Sequence, residues 1–273
     1  MIAGVSRREV FLGVAGVAAA SLFPPLVNGS PAAPPDTSAP WPNFPHLDPK
    51  LVAEVVGKSH FDESAVRKLI TEHPSLVNAC WDWGFGDWET PLGAASHTGR
   101  RTIAEYLIEQ GARIDIFAAA MLGYTDVVQA LVTANPGIQR TLGPHCITLL
   151  AHAKAGGAKA YKTFEYLKSL GDADNAPAIV PITDAEKKSF VGVYSYGTGA
   201  SDRIEITIDD RGFLLFQKSG DPSRIRIHAV GNGAFFPAGA PMARLAFDTT
   251  KSPEILTITS GPQSLVSTRT VAP

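Results

Sequence analysis

Only two cysteines, Cys80 and Cys146, occur among the 273 residues of this chain, too few for a disulfide framework. Charge of one sign is not in excess either. The 24 Lys and Arg nearly balance the 26 Asp and Glu, leaving a net charge of −2. With no basic stripe, a nucleic-acid-binding surface is excluded. Long apolar runs are also missing. The run from Val10 to Phe23 is rich in Gly and Ala and falls short of the roughly 20 apolar residues that a membrane-spanning helix needs. The Gly-x-Ser-x-Gly, Ser-x-x-Lys and His-Glu-x-x-His motifs of nucleophilic and metal-dependent hydrolases are absent, as are glycine loops that cradle phosphate. Catalysis is therefore unsupported by any motif. What remains is 45% apolar residues, enough for one large or two ordinary cores.

The N-terminal segment has its own pattern. Ser6-Arg7-Arg8-Glu9-Val10-Phe11 precedes the short apolar run, which is closed by Pro24-Pro25 and contains the small-residue site Ala18-Ala19-Ala20. It resembles a bacterial twin-arginine export signal. That resemblance implies a folded cargo delivered to the periplasm or secreted. No cysteine lies nearby to carry a lipid, so no stable membrane anchor is expected after cleavage. Residues 1–33 are read as the signal and 34–46, with five prolines, as an extended linker.

Residues 88–115 carry Thr90-Pro91-Leu92, Ala94-Ala95, Gly99, a second helical stretch, and then Gly111-Ala112 with an aliphatic exit. This stretch resembles one ankyrin repeat. Ile70, Leu107, Leu131 and Leu167 recur at intervals of 37, 24 and 36 residues, against an ankyrin period of about 33. The short interval has a cause. Asp115 runs straight into Ile116-Phe117-Ala118-Ala119, so the third unit has no hairpin finger. Residues 47–175 are thus expected to form about four ankyrin repeats, the first an atypical cap. Asp48-Pro49 supplies an N-cap and first helical residue. Ile103, Tyr106 and Leu107, and Val127, Val128 and Leu131, are expected as buried stripes. Gly99 and Gly123 suit turns that need positive φ. Two stacking steps separate Cys80 from Cys146, more than the about 7 Å that a disulfide spans between Cα atoms. Both are expected as separate, mostly buried thiols.

Beyond Pro177 the apolar period changes from 3.6 to 2. Arg203-Ile204-Glu205-Ile206-Thr207-Ile208-Asp209 alternates strictly. Eight short strands are expected: Phe190–Tyr196, Arg203–Asp209, Phe213–Gln217, Arg224–Val230, Ala234–Pro237, Met242–Phe247, Glu254–Thr259 and Ser264–Thr270. Residues 180–273 are read as a small antiparallel eight-stranded barrel. The series Phe190-Val191-Gly192-Val193-Tyr194, Phe235-Phe236-Pro237 and Ala246-Phe247-Asp248 resembles the lipocalin-like barrel appended to serine beta-lactamase-type hydrolases. The fold class is therefore multidomain α + β, an ankyrin-repeat solenoid followed by the barrel. Inward Ile, Leu and Phe are expected to fill so short a barrel.

Recognition points to the finger Cys80–Glu89, which holds three of the four tryptophans. Trp81, Trp83, Phe85 and Trp88 supply large amphipathic contact area. Asp82, Asp87 and Glu89 are read as an acidic rim suited to a basic partner, and His145 occupies the fourth unit's finger. The alternative is that these aromatics pack internally or dock on the barrel. The three acids could also form a carboxylate pair for acid–base chemistry, although an exposed acid beside an aromatic is usually solvated. His97 is read as a structural turn residue. His145, Cys146 and His152 fit no standard metal spacing, so neither metal nor cofactor is expected. The leading expectation is a non-catalytic periplasmic scaffold binding a protein partner not identified by the sequence. The alternatives are a small-ligand carrier using the barrel or the groove between domains, and an accessory subunit of a periplasmic hydrolase.

Overall fold

Four side chains start the helical half, one per helix pair. Asp48, Thr90, Asp115 and Thr148 each accept a hydrogen bond from a backbone N–H in the first turn that follows, satisfying donors that no helix can satisfy internally. In the computed structural model, which describes residues 45–251 and 254–270, these caps open α1 (Pro49–Ser59), α3 (Pro91–His97), α5 (Ile116–Leu122) and α7 (Leu149–Ala155). Each is followed by a partner: α2 (Glu63–Glu72), α4 (Arg101–Glu109), α6 (Thr125–Ala134) and α8 (Tyr161–Ser169). The first helices pack on one another in chain order, α1 on α3, α3 on α5, α5 on α7. The second helices lie alongside them. The export-signal segment and nearly all of the linker fall outside the described residues, and no described helix is long and apolar enough to cross a membrane.

The expected apolar stripes are largely buried. Ile70, Ile103, Leu107 and Leu167 are almost fully enclosed. The stripe on α6 needs correction: Val128 is buried, but Val127 is 47% exposed and Leu131 only half-buried. That helix packs on α5 and α8, and Val127 lies on the face left open to water. Gly99 and Gly123 do adopt positive φ, 69° and 76°. A Cβ on Gly123 would lie 2.4 Å from the Lys159 carbonyl oxygen. A second correction concerns the thiols: both are free, but Cys80 is exposed and Cys146 half-buried.

The C-terminal half is a closed antiparallel barrel. Strands β3 (Gly192–Ser195), β4 (Arg203–Ile208), β5 (Leu214–Lys218), β6 (Ile225–Gly231), β7 (Ala234–Pro237), β8 (Arg244–Asp248), β9 (Ile255–Ser260) and β10 (Gln263–Thr270) pair in order, and β10 returns to β3. Alternation sets the register, with Ile204 and Ile206 inward and Arg203 and Glu205 outward on β4. Tyr194, Phe235, Leu245, Phe247 and Leu256 fill the interior. One element was missed in the sequence. Thr183 and Glu186 form a capping box that opens α9 (Asp184–Phe190). Phe190, expected to begin the first strand, ends this helix instead and packs against Phe235 and Phe247.

A two-stranded hairpin, β1 (Trp81–Asp82) with β2 (Trp88–Glu89), projects between the first two helix pairs. Its tip joins the halves. Phe85 meets Phe216 of β5 at a ring distance of 5.6 Å. Gly84 has φ 118°, a backbone region that favours glycine, and a Cβ there would lie 2.7 Å from the Ile225 side-chain methyl. The helices and the barrel consequently form one compact unit.

The burial contrast predicts unequal effects of truncation. Leu107→Ala should lose about 2–5 kcal/mol of stability, whereas Val127→Ala should stay within about 0.5 kcal/mol, both read by urea denaturation. Equal losses would contradict the packing.

Candidate functional site: a carboxylate among histidines

Glu89 ends β2 immediately before the Thr90 cap of α3, and this position carries its side chain into the protein, where it is 0% exposed. A buried carboxylate is tolerated only when opposite charges or donors surround it. Four segments provide them. His60, just past α1, places Nε2 3.5 Å from Glu89 Oε2. His97, the last residue of α3, places Nε2 2.9 Å from Oε1. His145, in the loop before α7, places Nε2 3.6 Å from Oε2. Trp83 of the finger donates its indole N–H to Oε2 at 2.9 Å.

These neighbours set the ionisation of the cluster. Burial pushes the Glu89 carboxyl upward, but the His145 and His97 imidazoles outweigh it and hold it at about 2. Burial works against a charged His145 ring, yet its bonds to Asp87 and Glu89 raise it to about 9. His60 is lowered, because burial dominates the attraction of Glu89. His152, enclosed next to the cluster, is pushed by burial to about 4. Its Nδ1 bonds the Thr148 carbonyl at 2.9 Å, and its Nε2 has no partner.

Asp87 organises the loop that bears His145. One carboxylate oxygen accepts the His145 backbone N–H at 2.9 Å, and the other meets its Nδ1 at 2.7 Å. The support is needed because His145 and Cys146 both occupy the left-handed region, at φ 59° and 60°. Such residues cost about 1–3 kcal/mol each. From the barrel side, Gly239 presses on the same carboxylate, and a Cβ there would fall 1.9 Å from the Asp87 Cγ.

The cluster opens on a cleft of about 560 Å³ between the helices and the barrel. His60, Trp83, Asp87, His97, His145 and Cys146 form one wall; Arg211, Arg224, Arg226, His228 and Phe236 form the other. Arg226 lies 3.6 Å from the centre of the Phe213 ring, and burial lowers His228.

Of the two sequence readings of the finger, the alternative, internal packing and docking on the barrel, describes most of it. Trp81 and Trp83 pack on the helical core and Phe85 on the barrel. The acidic rim is corrected: Asp87 is 5% exposed and Glu89 fully buried, because both face histidines rather than water. Asp82 is exposed, as is Trp88 at 62%. His145 does join the finger, but through Asp87 and Glu89. His60 went unnoticed and His97 was assigned to a turn. The sequence signal for them was a histidine near the end of the first helix in each of the first two helix pairs. No family model matches the chain, and no curated protein matches it.

Removing the Asp87 charge leaves a strained loop and a buried imidazole without their partner. Asp87→Ala should therefore destabilise by about 3 kcal/mol, measured by urea unfolding. A loss under about 1 kcal/mol would show that the loop holds its conformation unaided.

Proposed function

We propose that this protein binds a small anionic ligand in the cleft between its helical layer and its barrel. One observation carries the reading. Three arginines converge on a single cleft from the barrel side, opposite three histidines, in a chain whose net charge is slightly negative. The one carboxylate in the lining, Asp87, is already engaged by His145. Clefts lined by one sign of charge concentrate ligands of the other sign, and guanidinium groups match carboxylate and phosphate oxygens. A cavity of about 710 Å³ at the barrel, lined by Phe85, Ile204, Phe216 and Ile258, is apolar where this groove is charged, so an anion is better matched by the groove.

The helical layer is read as an ankyrin stack. Asn78 donates to the Gly111 carbonyl, and Gln139 to Asp172, both across 33 residues, which equals the ankyrin period. The barrel is read as lipocalin-like, and the Arg7-Arg8 segment as directing export to the periplasm. In titration calorimetry with pyrophosphate and with citrate as probes, the wild-type chain should bind at least one saturably. Arg226→Ala combined with Arg224→Ala should weaken that binding at least about tenfold, since each lost charged hydrogen bond removes roughly 1.5 kcal/mol or more. No binding of either probe, or no effect of the double substitution, would sink the ligand reading.

A second reading, a protein partner docking on the finger, keeps one supporting residue. Trp88 remains 62% exposed, an unusual place for an indole unless something covers it. Trp88→Ala should leave the melting temperature within about 2 °C while abolishing capture of a partner from a periplasmic extract. Unchanged capture would remove this reading.

A further inference from the structure

We propose that His60, Glu89, His97 and His145 bind one borderline divalent transition-metal ion, such as Zn²⁺ or Fe²⁺, at the edge of the cleft. The inference rests on the cluster alone and does not depend on the anionic ligand.

The donor atoms are already gathered. One ligand atom from each residue lies within 4.8 Å of all the others, and the nearest separations are 2.9 Å between His97 Nε2 and Glu89 Oε1 and 3.1 Å between the Nε2 atoms of His97 and His60. Metal bonds of about 2.0–2.1 Å to nitrogen and oxygen place neighbouring donors about 2.9 Å apart in an octahedron and about 3.3 Å in a tetrahedron. Small side-chain shifts convert the observed arrangement into either geometry.

In His60 and His145 the other ring nitrogen is committed elsewhere, which orients these two donors. His60 Nδ1 faces the Val56 and Gly57 carbonyls at 3.1 Å, so it carries the proton and leaves the Nε2 lone pair inward. His145 Nδ1 is held by the Asp87 carboxylate at 2.7 Å. Carboxylates and carbonyls of this kind fix the tautomer and raise the basicity of metal-binding histidines.

A protein-only network does not satisfy the cluster. His97 Nε2–H lies 2.9 Å from Glu89 Oε1 and 3.1 Å from His60 Nε2, and one proton serves only one of them, so either the buried Oε1 or the inward His60 lone pair is left without a donor. A buried anionic oxygen without a partner carries a heavy penalty, and a cation between the three rings removes it. Three imidazoles with one carboxylate select borderline transition ions over Ca²⁺ or Mg²⁺, which prefer all-oxygen shells. The three imidazoles line the cleft while Glu89 does not, so free coordination positions would face the cleft.

The test uses the full chain stripped with a chelator and titrated with Co²⁺. One ion should bind per chain, with visible d–d absorption and quenching of Trp83, whose ring centre is 5.8 Å from that of His145. His97→Ala and Glu89→Gln should each weaken binding on the order of 100-fold, and Asp87→Asn about 10–100-fold. Absence of stoichiometric binding, or undiminished binding in folded His60→Ala and His97→Ala, would overturn the proposal. Should these variants not fold, X-ray absorption of the wild-type Co²⁺ form decides: a nitrogen and oxygen shell with imidazole scattering supports the site, and sulfur from Cys146 or Cys80 overturns it.

Discussion

A single buried charge, the carboxylate of Glu89, constrains more of this structure than any other group. It has no access to water, so every side chain that compensates it must arrive from a different element. His60 comes from the end of α1, His97 from the end of α3, His145 from the loop before α7, and Trp83 from the finger just past β1. Helix pairs that would otherwise touch only through apolar faces are thereby tied at one point. Apolar packing is tolerant of small displacements, whereas a buried ion is not. The polar cluster therefore defines the spacing among the first, second and fourth helix pairs.

The same finger carries the connection onward to the barrel. Its tip needs three successive left-handed residues, Gly84, Phe85 and Gly86, and two of them are glycines that adopt this conformation at little cost. Phe85 gains in exchange a position against Phe216 and the barrel's apolar cluster. Asp87 then lies between Gly239 of the barrel and the His145 loop. Within seven residues the finger touches the helical core, the histidine cluster and the barrel. Its tryptophans and acids are concentrated there for that reason, more than for display to solvent.

How much of this was readable depended on whether the signal was local. The strands were, because period-2 alternation in Arg203–Ile208 and the turn residues between strands act over a few positions. The Asp48 cap was readable for the same reason. Glu89 was not. Its neighbours in sequence, Trp88 and Thr90, suggest a surface hairpin, and the side chains that bury it lie 29 residues before and 8 and 56 residues after it. Those intervals match no metal or catalytic spacing, since they arise from stacking successive helix pairs. The α9 capping box was local, but the apolar run that follows it masked the helix. The overstated burial of α6 has the reverse origin: its periodicity is genuine, yet too few neighbours cover the stripe.

The strain at His145 and Cys146 links the cluster to the cleft. Two consecutive non-glycine residues in the left-handed region are unfavourable, and a glycine at either position would relieve the backbone. Relief by glycine at 145 would remove the ring that bonds both Asp87 and Glu89. The loop therefore keeps an unfavourable backbone in order to hold an imidazole at the cleft wall, facing arginines that only the barrel supplies. Neither half contains the whole lining: the stack has imidazoles without guanidinium groups, and the barrel has guanidinium groups with a single imidazole, His228. Recognition in this cleft is consequently a property of the docked pair. Any change that frees Phe85 or displaces Asp87 from Gly239 separates the two walls, even when every side chain of the lining is intact.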